Sequence, residues 1–318
     1  MTTALVFPGQ GSQAVGMGKA LADAFPAAAR VFAEVDAALG HSLSKIIFEG
    51  PEAELTLTAN AQPALMATSL AAMRALEAEA GFDIARDAAF VAGHSLGEYS
   101  ALCAAGALSL ADAARLLRLR GTAMQQAVPA GEGAMAAILG LDFEKVSQIA
   151  HEAARELYLT AAICEAANDN GCGQVVISGT KAAVERAMEL AKQAGAKRAL
   201  PLAVSAPFHC TLMTPAAETM RHALAETKIA APRVPLVANA TAAPLTDPAA
   251  IREALVAQIT GTVRWRESVA YMAQQGVTRF VEVGAGKVLA GLVKRIAEGA
   301  KTVSIGTPAD VEAFKTAN

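Results

Sequence analysis

The chain has 318 residues, 53% hydrophobic but only 4% aromatic, and a net charge of −3 spread over interspersed positive and negative side chains. Much of the hydrophobic content is alanine, which favours a helix-rich α/β fold over an all-β one, and the length suits one large domain or a large domain with a smaller one inserted. The charge pattern offers no footprint for nucleic acid or for a membrane surface. No run of about eighteen apolar residues free of charge or breakers is present, so a transmembrane helix is not expected. The start, Met1 to Gly9, lacks the basic region and long apolar core of a signal peptide. Cys103, Cys164, Cys172 and Cys210 form no C-x-x-C pair and no metal-ligand spacing, so they read as free thiols of a reducing cytoplasm.

In chain order, residues 4–7 form a short apolar strand ending in Pro8-Gly-Gln-Gly-Ser-Gln13. A helix is expected over 18–39 and another over 63–79, where Leu65, Ala67, Leu70, Met73 and Leu76 recur at helical spacing. The apolar run from Asp87 to Ala92 leads into Gly93-His-Ser-Leu-Gly97, and a helix-like stretch follows over 98–106. Strand, G-x-S-x-G, helix is the arrangement of a nucleophile elbow. A further helix covers 110–128, and this alternation implies a parallel sheet. Pro129 to Gly133 breaks the pattern. The next stretch reads strand 134–139, helix 143–156, strands 159–166 and 174–178, helix 181–194 and strand 198–204, the β-α-β-β-α-β order of a ferredoxin-like module. Beyond Pro207, strands are expected at 234–239 and 279–283, with helices at 247–260, 269–275 and 288–298. The expected fold is therefore α/β. A large α/β-hydrolase-like domain with a mainly parallel sheet (residues 1–128 and 204–318) is interrupted by a small ferredoxin-like α+β subdomain (129–203).

Ser95 at the elbow stands at a helix N-terminus, where unpaired N–H groups and the helix dipole favour an oxyanion. Such a serine needs a base. His151 and His222 fall in polar-faced helices and read as solvated, and His41 follows Gly40 in a loop with no partner signal. His94, beside the nucleophile, points away from it and shapes the pocket or touches a bound carbonyl. His209 lies in Ser205-Ala-Pro-Phe-His-Cys210, where the inserted module returns to the main sheet, and seams of this kind face clefts. A lone histidine at such a position is more often structural; a serine in need of a base tilts the reading to catalysis.

Arg120 falls in the middle of the apolar stripe formed by Leu110, Ala113, Leu116, Leu117 and Met124, whereas Arg115 and Arg118 fall opposite. An arginine there must meet an anion: either one of the protein's own acids or a substrate carboxylate gripped at two points. The loop Gly9-Gln-Gly-Ser-Gln-Ala14 imitates a dinucleotide fingerprint, but no second strand ending in an acid follows at the required distance. Its glycines read better as bringing the Gln10 N–H beside Ser95, a second oxyanion donor next to that of Leu96.

Taken together and in order, Phe7-Pro-Gly-Gln-Gly-Ser-Gln13, Gly93-His-Ser-Leu-Gly-Glu98, Arg120-Gly, Ala167-Asn168, Gln174-Val-Val-Ile-Ser-Gly179, Pro207-Phe-His209 and Glu282-Val-Gly-Ala-Gly-Lys287 resemble the malonyl-CoA:acyl-carrier-protein transacylases of bacterial fatty-acid synthesis, over essentially the full length. The resemblance implies Ser95 as nucleophile, His209 as base, Arg120 on the malonyl carboxylate, and an oxyanion hole from Gln10 and Leu96. It implies that Gln258 orients His209 through its main-chain carbonyl in place of a triad acid. Asn168 matches a position near the pantetheine arm. Phe208, which accompanies malonyl selection in related polyketide acyltransferases, implies that no space is left for an α-methyl group. Malonyl-CoA and holo-acyl carrier protein are the implied partners, in the cytoplasm and with no cofactor. A malonyl acyltransferase serving a polyketide synthase, and more distantly a serine thioesterase or esterase, are the alternatives. Two positions depart from the common pattern: Cys172 replaces a usual proline, and Ala285 stands where Gly-Pro-Gly is usual.

Overall fold

The computed structural model describes residues 1–157 and 161–317. Among them ten strands occur: β1 (Thr3–Phe7), β2 (Phe90–Gly93), β3 (Gly133–Leu139), β4 (Cys164–Asp169), β5 (Gln174–Thr180), β6 (Arg198–Pro201), β7 (Leu236–Val237), β8 (Pro244–Leu245), β9 (Arg279–Val283) and β10 (Lys301–Ile305). They form a six-stranded sheet in the order β10-β9-β1-β2-β7-β8 and a four-stranded sheet in the order β4-β5-β3-β6. The larger sheet is parallel except for β8, which pairs antiparallel with β7; the smaller is antiparallel throughout.

The large sheet is covered on both faces, as a parallel sheet must be. Alternation along β1 sends Leu5 and Phe7 into a core with helices Pro26–Leu39, Thr58–Ala80 and Leu110–Gln126, while Ala4 and Val6 pack with Trp265, Val269 and Leu289 on the other side. The small sheet has a hydrophobic core of its own under helices Phe143–Glu156 and Lys181–Gln193.

Several expected bounds move, each for a local reason. The helix expected over 18–39 splits into Lys19–Ala24 and Pro26–Leu39, because Phe25 precedes a proline and is extended at φ −127°. The helix expected from Pro63 begins at Thr58, with Pro63 inside it. The strand expected at 159–166 runs Cys164–Asp169; its first two residues lie outside the described ones. The strand expected at 198–204 stops at Pro201, on the sheet edge where a missing N–H is tolerated. Only Leu236–Val237 of 234–239 is strand. Edge strand β10 and helix Pro308–Ala317 carry too little apolar alternation to be expected from the sequence. No helix among the described residues is long and apolar enough to cross a membrane.

Parallel strands bind ligands beyond their carboxyl ends. Here Phe7, Gly93 and Val237 end three adjacent strands, so the loops carrying Gln10, Ser95 and Asn239 meet at one edge.

Candidate active site

Ser95 joins β2 to helix Gly97–Ala104 with φ at 53°, a left-handed conformation that costs a non-glycine residue about 1–3 kcal/mol. Two glycines make the turn possible. A Cβ on Gly93 would lie 1.8 Å from the carbonyl carbon of Gly97, and one on Gly97 would lie 2.3 Å from the Phe7 oxygen. The turn is strapped by Asn239: Ser95 N–H donates to its Oδ1 at 2.8 Å, and its Nδ2 donates to the Gly93 carbonyl at 2.7 Å.

His209 also has a positive φ, 59°, and is buried. Its Nε2 lies 2.8 Å from Ser95 Oγ, and its Nδ1 lies 2.8 Å from the main-chain oxygen of Gln258. A carbonyl only accepts, so Nδ1 carries the proton and Nε2 keeps its lone pair for the serine hydroxyl. Burial, reinforced by the nearby Arg120 charge, pushes the imidazole down to about 3. The ring is therefore neutral across the physiological range, as a base must be before it takes a proton.

Arg120, on helix Leu110–Gln126, is 1% exposed. Its Nη1 donates to Gln62 Oε1 at 2.8 Å, and its Nη2 donates to Gln258 Oε1 at 2.7 Å and to Ser95 Oγ at 3.2 Å. Its Nε, also buried, has no acceptor among the described residues. The ring of Tyr99 faces the guanidinium at 5.9 Å. Among the described residues no carboxylate pairs with it, so the protein's own acids do not supply the anion that the buried side of this helix calls for. Burial presses its pKa below the usual arginine value, which marks the energetic cost of an unpaired buried cation.

These groups open into a cleft of about 390 Å³ lined by Gln10, His94, Ser95, Leu96, Arg120, Asn168, Phe208 and His209, among others. Gly9 lets the first loop press against the elbow, since a Cβ there would lie 2.7 Å from the His94 carbonyl oxygen. The main-chain N–H groups of Gln10 and Leu96 have no acceptor among the described residues. His94 turns away from Ser95: its Nε2 pairs with Asn170 Oδ1 at 2.9 Å and its ring tilts against Trp265 at 5.6 Å. Burial holds its pKa below the ordinary histidine range. Asn168 sits at a bulge of β4, bridged to Val263. Phe208 is buried beside His209. His41, His151 and His222 are all exposed and away from the cleft. Cys172 has φ 52° between Gly171 and Gly173, both also positive, a backbone closed to proline. Its turn joins Asn170 to Gln174, both of which line the cleft.

Three functional neighbours escaped the sequence reading. Gln62 is buried on helix Thr58–Ala80 and shares Arg120. Asn239 ends a predicted strand at its carboxyl side, a signal that could have flagged it. Glu98, quoted only as part of a motif, is completely buried. Its Oε1 accepts the Asn239 main-chain N–H at 2.5 Å and its Oε2 accepts from Gln258 Nε2. Burial pushes this carboxyl up to about 8, against the two N–H donors and Arg120, which pull it down.

An elbow serine hydrogen-bonded to a histidine, two N–H groups without acceptors among the described residues and a buried cation suit acyl transfer. The acyl transferase domain family matches residues 4–312. A malonyl CoA-acyl carrier protein transacylase of Bacillus subtilis (strain 168) is 51% identical over 309 residues, covering 97% of this chain and 95% of that protein. The crystal structure of acyl-carrier-protein-S-malonyltransferase from Bartonella henselae is similar at a TM-score of 0.96 and 54% identity, covering 100% of this chain and 99% of that one. A malonyl-transacylase solved with its holo type II PKS acyl-carrier protein is similar at a TM-score of 0.94 and 44% identity, over 100% of both chains. The chain belongs to the acyl transferase family and, within it, to the malonyl CoA-acyl carrier protein transacylases.

Proposed function

We propose that the chain moves a malonyl group from malonyl-CoA to the phosphopantetheine thiol of an acyl carrier protein through a malonyl-Ser95 ester. His209 Nε2 takes the Ser95 proton as Oγ attacks the thioester carbonyl. The negative oxygen of the tetrahedral intermediate settles against the Gln10 and Leu96 N–H groups. When the intermediate collapses, the C–S bond breaks and His209 returns its proton to the departing CoA thiolate. The second half runs in reverse order. The carrier thiol gives its proton to His209, attacks the serine ester, and the proton goes back to Ser95 Oγ. The Gln258 carbonyl holds the ring in the required tautomer and stabilises it while it is doubly protonated, the part an acid plays in a triad. Arg120 holds the free carboxylate through both halves.

The observation that carries this reading is Arg120: buried, paired with no acid, and 3.2 Å from Ser95 Oγ. A cation so placed accepts acyl groups that end in a carboxylate. Asn168 lies where the pantetheine arm would pass, and Phe208 restricts space at the α-carbon. No cofactor is needed, since CoA and phosphopantetheine thioesters are themselves the substrates. The chemistry belongs in the cytoplasm. The same reading takes residues 129–203 as a small subdomain set into a catalytic domain of 1–128 and 204–318, in keeping with the separate core of the small sheet.

The test is intact mass of the protein after malonyl-CoA, with and without holo-acyl carrier protein. A malonyl adduct that disappears onto the carrier is expected, and Ser95→Ala should form none; an adduct on that variant sinks the assignment. A thioesterase would release free malonate as fast as CoA. Service to a polyketide carrier is a second reading, favoured by the likeness to the malonyl-transacylase bound to a type II PKS carrier, and rates with the two kinds of carrier separate it from the first.

A further inference from the structure

Glu98 is fully buried in the first turn of helix Gly97–Ala104, and the reaction above gives it no task. Its two oxygens lead to the two halves of the site. Through Oε1 it holds Asn239, the strap over the elbow. Through Oε2 it holds Gln258 Nε2, which also donates to the Ser95 carbonyl at 2.9 Å. An amide donates at one end and accepts at the other, so whatever holds its nitrogen decides what its oxygen meets. Here the oxygen of Gln258 meets Arg120 Nη2 at 2.7 Å.

The guanidinium is thus offered amide oxygens from Gln258 and Gln62, while the acid stands one side chain behind. A carboxylate bonded directly to Arg120 would occupy the fork that an anionic substrate needs. With the acid set back, Nε stays without an acceptor and Nη2 remains beside the nucleophile.

We propose that Glu98 is the positioning residue of the carboxylate site: a buried carboxyl that, through Gln258, aims Arg120 at the acyl group on Ser95 without itself pairing with the guanidinium. The inference rests on the malonyl-transfer reading. Either protonation state of a carboxyl leaves a lone pair for each of its two N–H donors, whereas a glutamine at 98 has one acceptor and must leave one donor unmet. Glu98→Gln should therefore slow acylation of Ser95 by both malonyl-CoA and acetyl-CoA. Adding Gln258→Glu restores the two bonds of residue 98 in mirrored order, with Gln at 98 donating to Glu at 258 and accepting from Asn239, while the bond from residue 258 to the Ser95 carbonyl is lost. It also gives Arg120 a direct carboxylate.

The experiment compares kcat/KM for acylation by malonyl-CoA and acetyl-CoA, and Ser95 labelling by a fluorophosphonate, in wild type, Glu98→Gln and the double variant, with thermal unfolding as the check on folding. The double variant should regain acetyl-CoA acylation and labelling over the single one. Its malonyl-over-acetyl preference should stay about tenfold or more below wild type, the loss of one hydrogen bond to a charged group. Wild-type rates in Glu98→Gln overturn the inference, and so does a double variant that regains malonyl along with acetyl. If neither variant folds, Gln258→Met, which keeps the main-chain carbonyl for His209, reads the same preference, and a wild-type preference there overturns it too. Failure of wild type to form any malonyl adduct would instead remove the function on which the inference rests.

Discussion

Two arginines of this chain meet their surroundings in opposite ways. Arg266 stands where the small sheet meets the large one, and its Nε donates to Asp169 Oδ2 at 2.7 Å; that acid is buried and also accepts the Gly171 N–H at 3.2 Å. Arg266 itself keeps 41% of its side chain exposed. Arg120 is buried, and among the described residues its bonded partners are Gln62, Gln258 and Ser95 rather than an acid. The cation at the seam is therefore paired and half-solvated, while the one beside Ser95 is desolvated and left with neutral partners, as the proposed carboxylate site requires. The second arrangement is unfavourable for the empty protein, and the site is held together by the surrounding hydrogen bonds.

Removing Arg120 tests the contrast most severely. Arg120→Ala should cut kcat/KM for malonyl-CoA by about 10²-fold or more, from the roughly 2–5 kcal/mol lost when a buried charge loses its partner, while acetyl-CoA gains relative to it. Equal losses for the two thioesters would reduce Arg120 to the structural status of Arg266. The proposed function, with the carboxylate on Arg120, brings the malonyl α-carbon toward Phe208, which lines the same cleft. Phe208→Ala should raise the ratio of methylmalonyl to malonyl acylation about tenfold, the scale of one methyl-sized group in an apolar pocket; an unchanged ratio would place the size limit elsewhere. On the other side of the contrast, Asp169→Ala should lower stability by about 1–3 kcal/mol in chemical denaturation, because the Gly171 N–H and Arg266 lose their acceptor. Malonyl preference should survive it. A loss of preference without a loss of stability would mean that the seam, too, serves the ligand.

The features legible in the sequence were those that violate a local rule. Ser95 stands between glycines where only glycines fit, and Arg120 interrupts an apolar stripe. Pro26 after Phe25 was a visible helix break, passed over because apolar spacing continues across it. The β-α-β-β-α-β order survived errors in strand ends because it depends on succession alone. Glu98, Asn239 and Gln62 break no period. A buried polar side chain and a solvated one look alike in sequence, and only the fold shows that Glu98 bonds Asn239 and Gln258 while Gln62 bonds Arg120. The side-chain amide of Gln258 was missed for the same reason, although its carbonyl was implied by resemblance. Strand β10 lies on a sheet edge with one wet side, so its apolar alternation is faint.

The smallest expected effect is at His209. Burial and the Arg120 charge lower its pKa from 6.5 to about 3, so the ring loses its proton at a lower pH than a free imidazole. The rate of fluorophosphonate labelling of Ser95 should then stay level between about pH 5 and 7, where an ordinary histidine would lose most of its base form. The same shift has a stability counterpart. Below 6.5 the unfolded chain binds a proton that the folded one refuses, so this group's share of stability is present above the unfolded value and declines as pH falls toward 3. Arg120 is the second cause of the shift after burial, so Arg120→Ala should move the acid limb of the labelling profile upward toward 6.5 without reaching it. A wild-type limb centred near 6.5 would mean that water reaches the ring, and a limb in Arg120→Ala that does not move would mean that the unpaired guanidinium leaves the base untouched. Either outcome would separate the two halves of the site that the shared Ser95 oxygen, bonded to both His209 and Arg120, now joins.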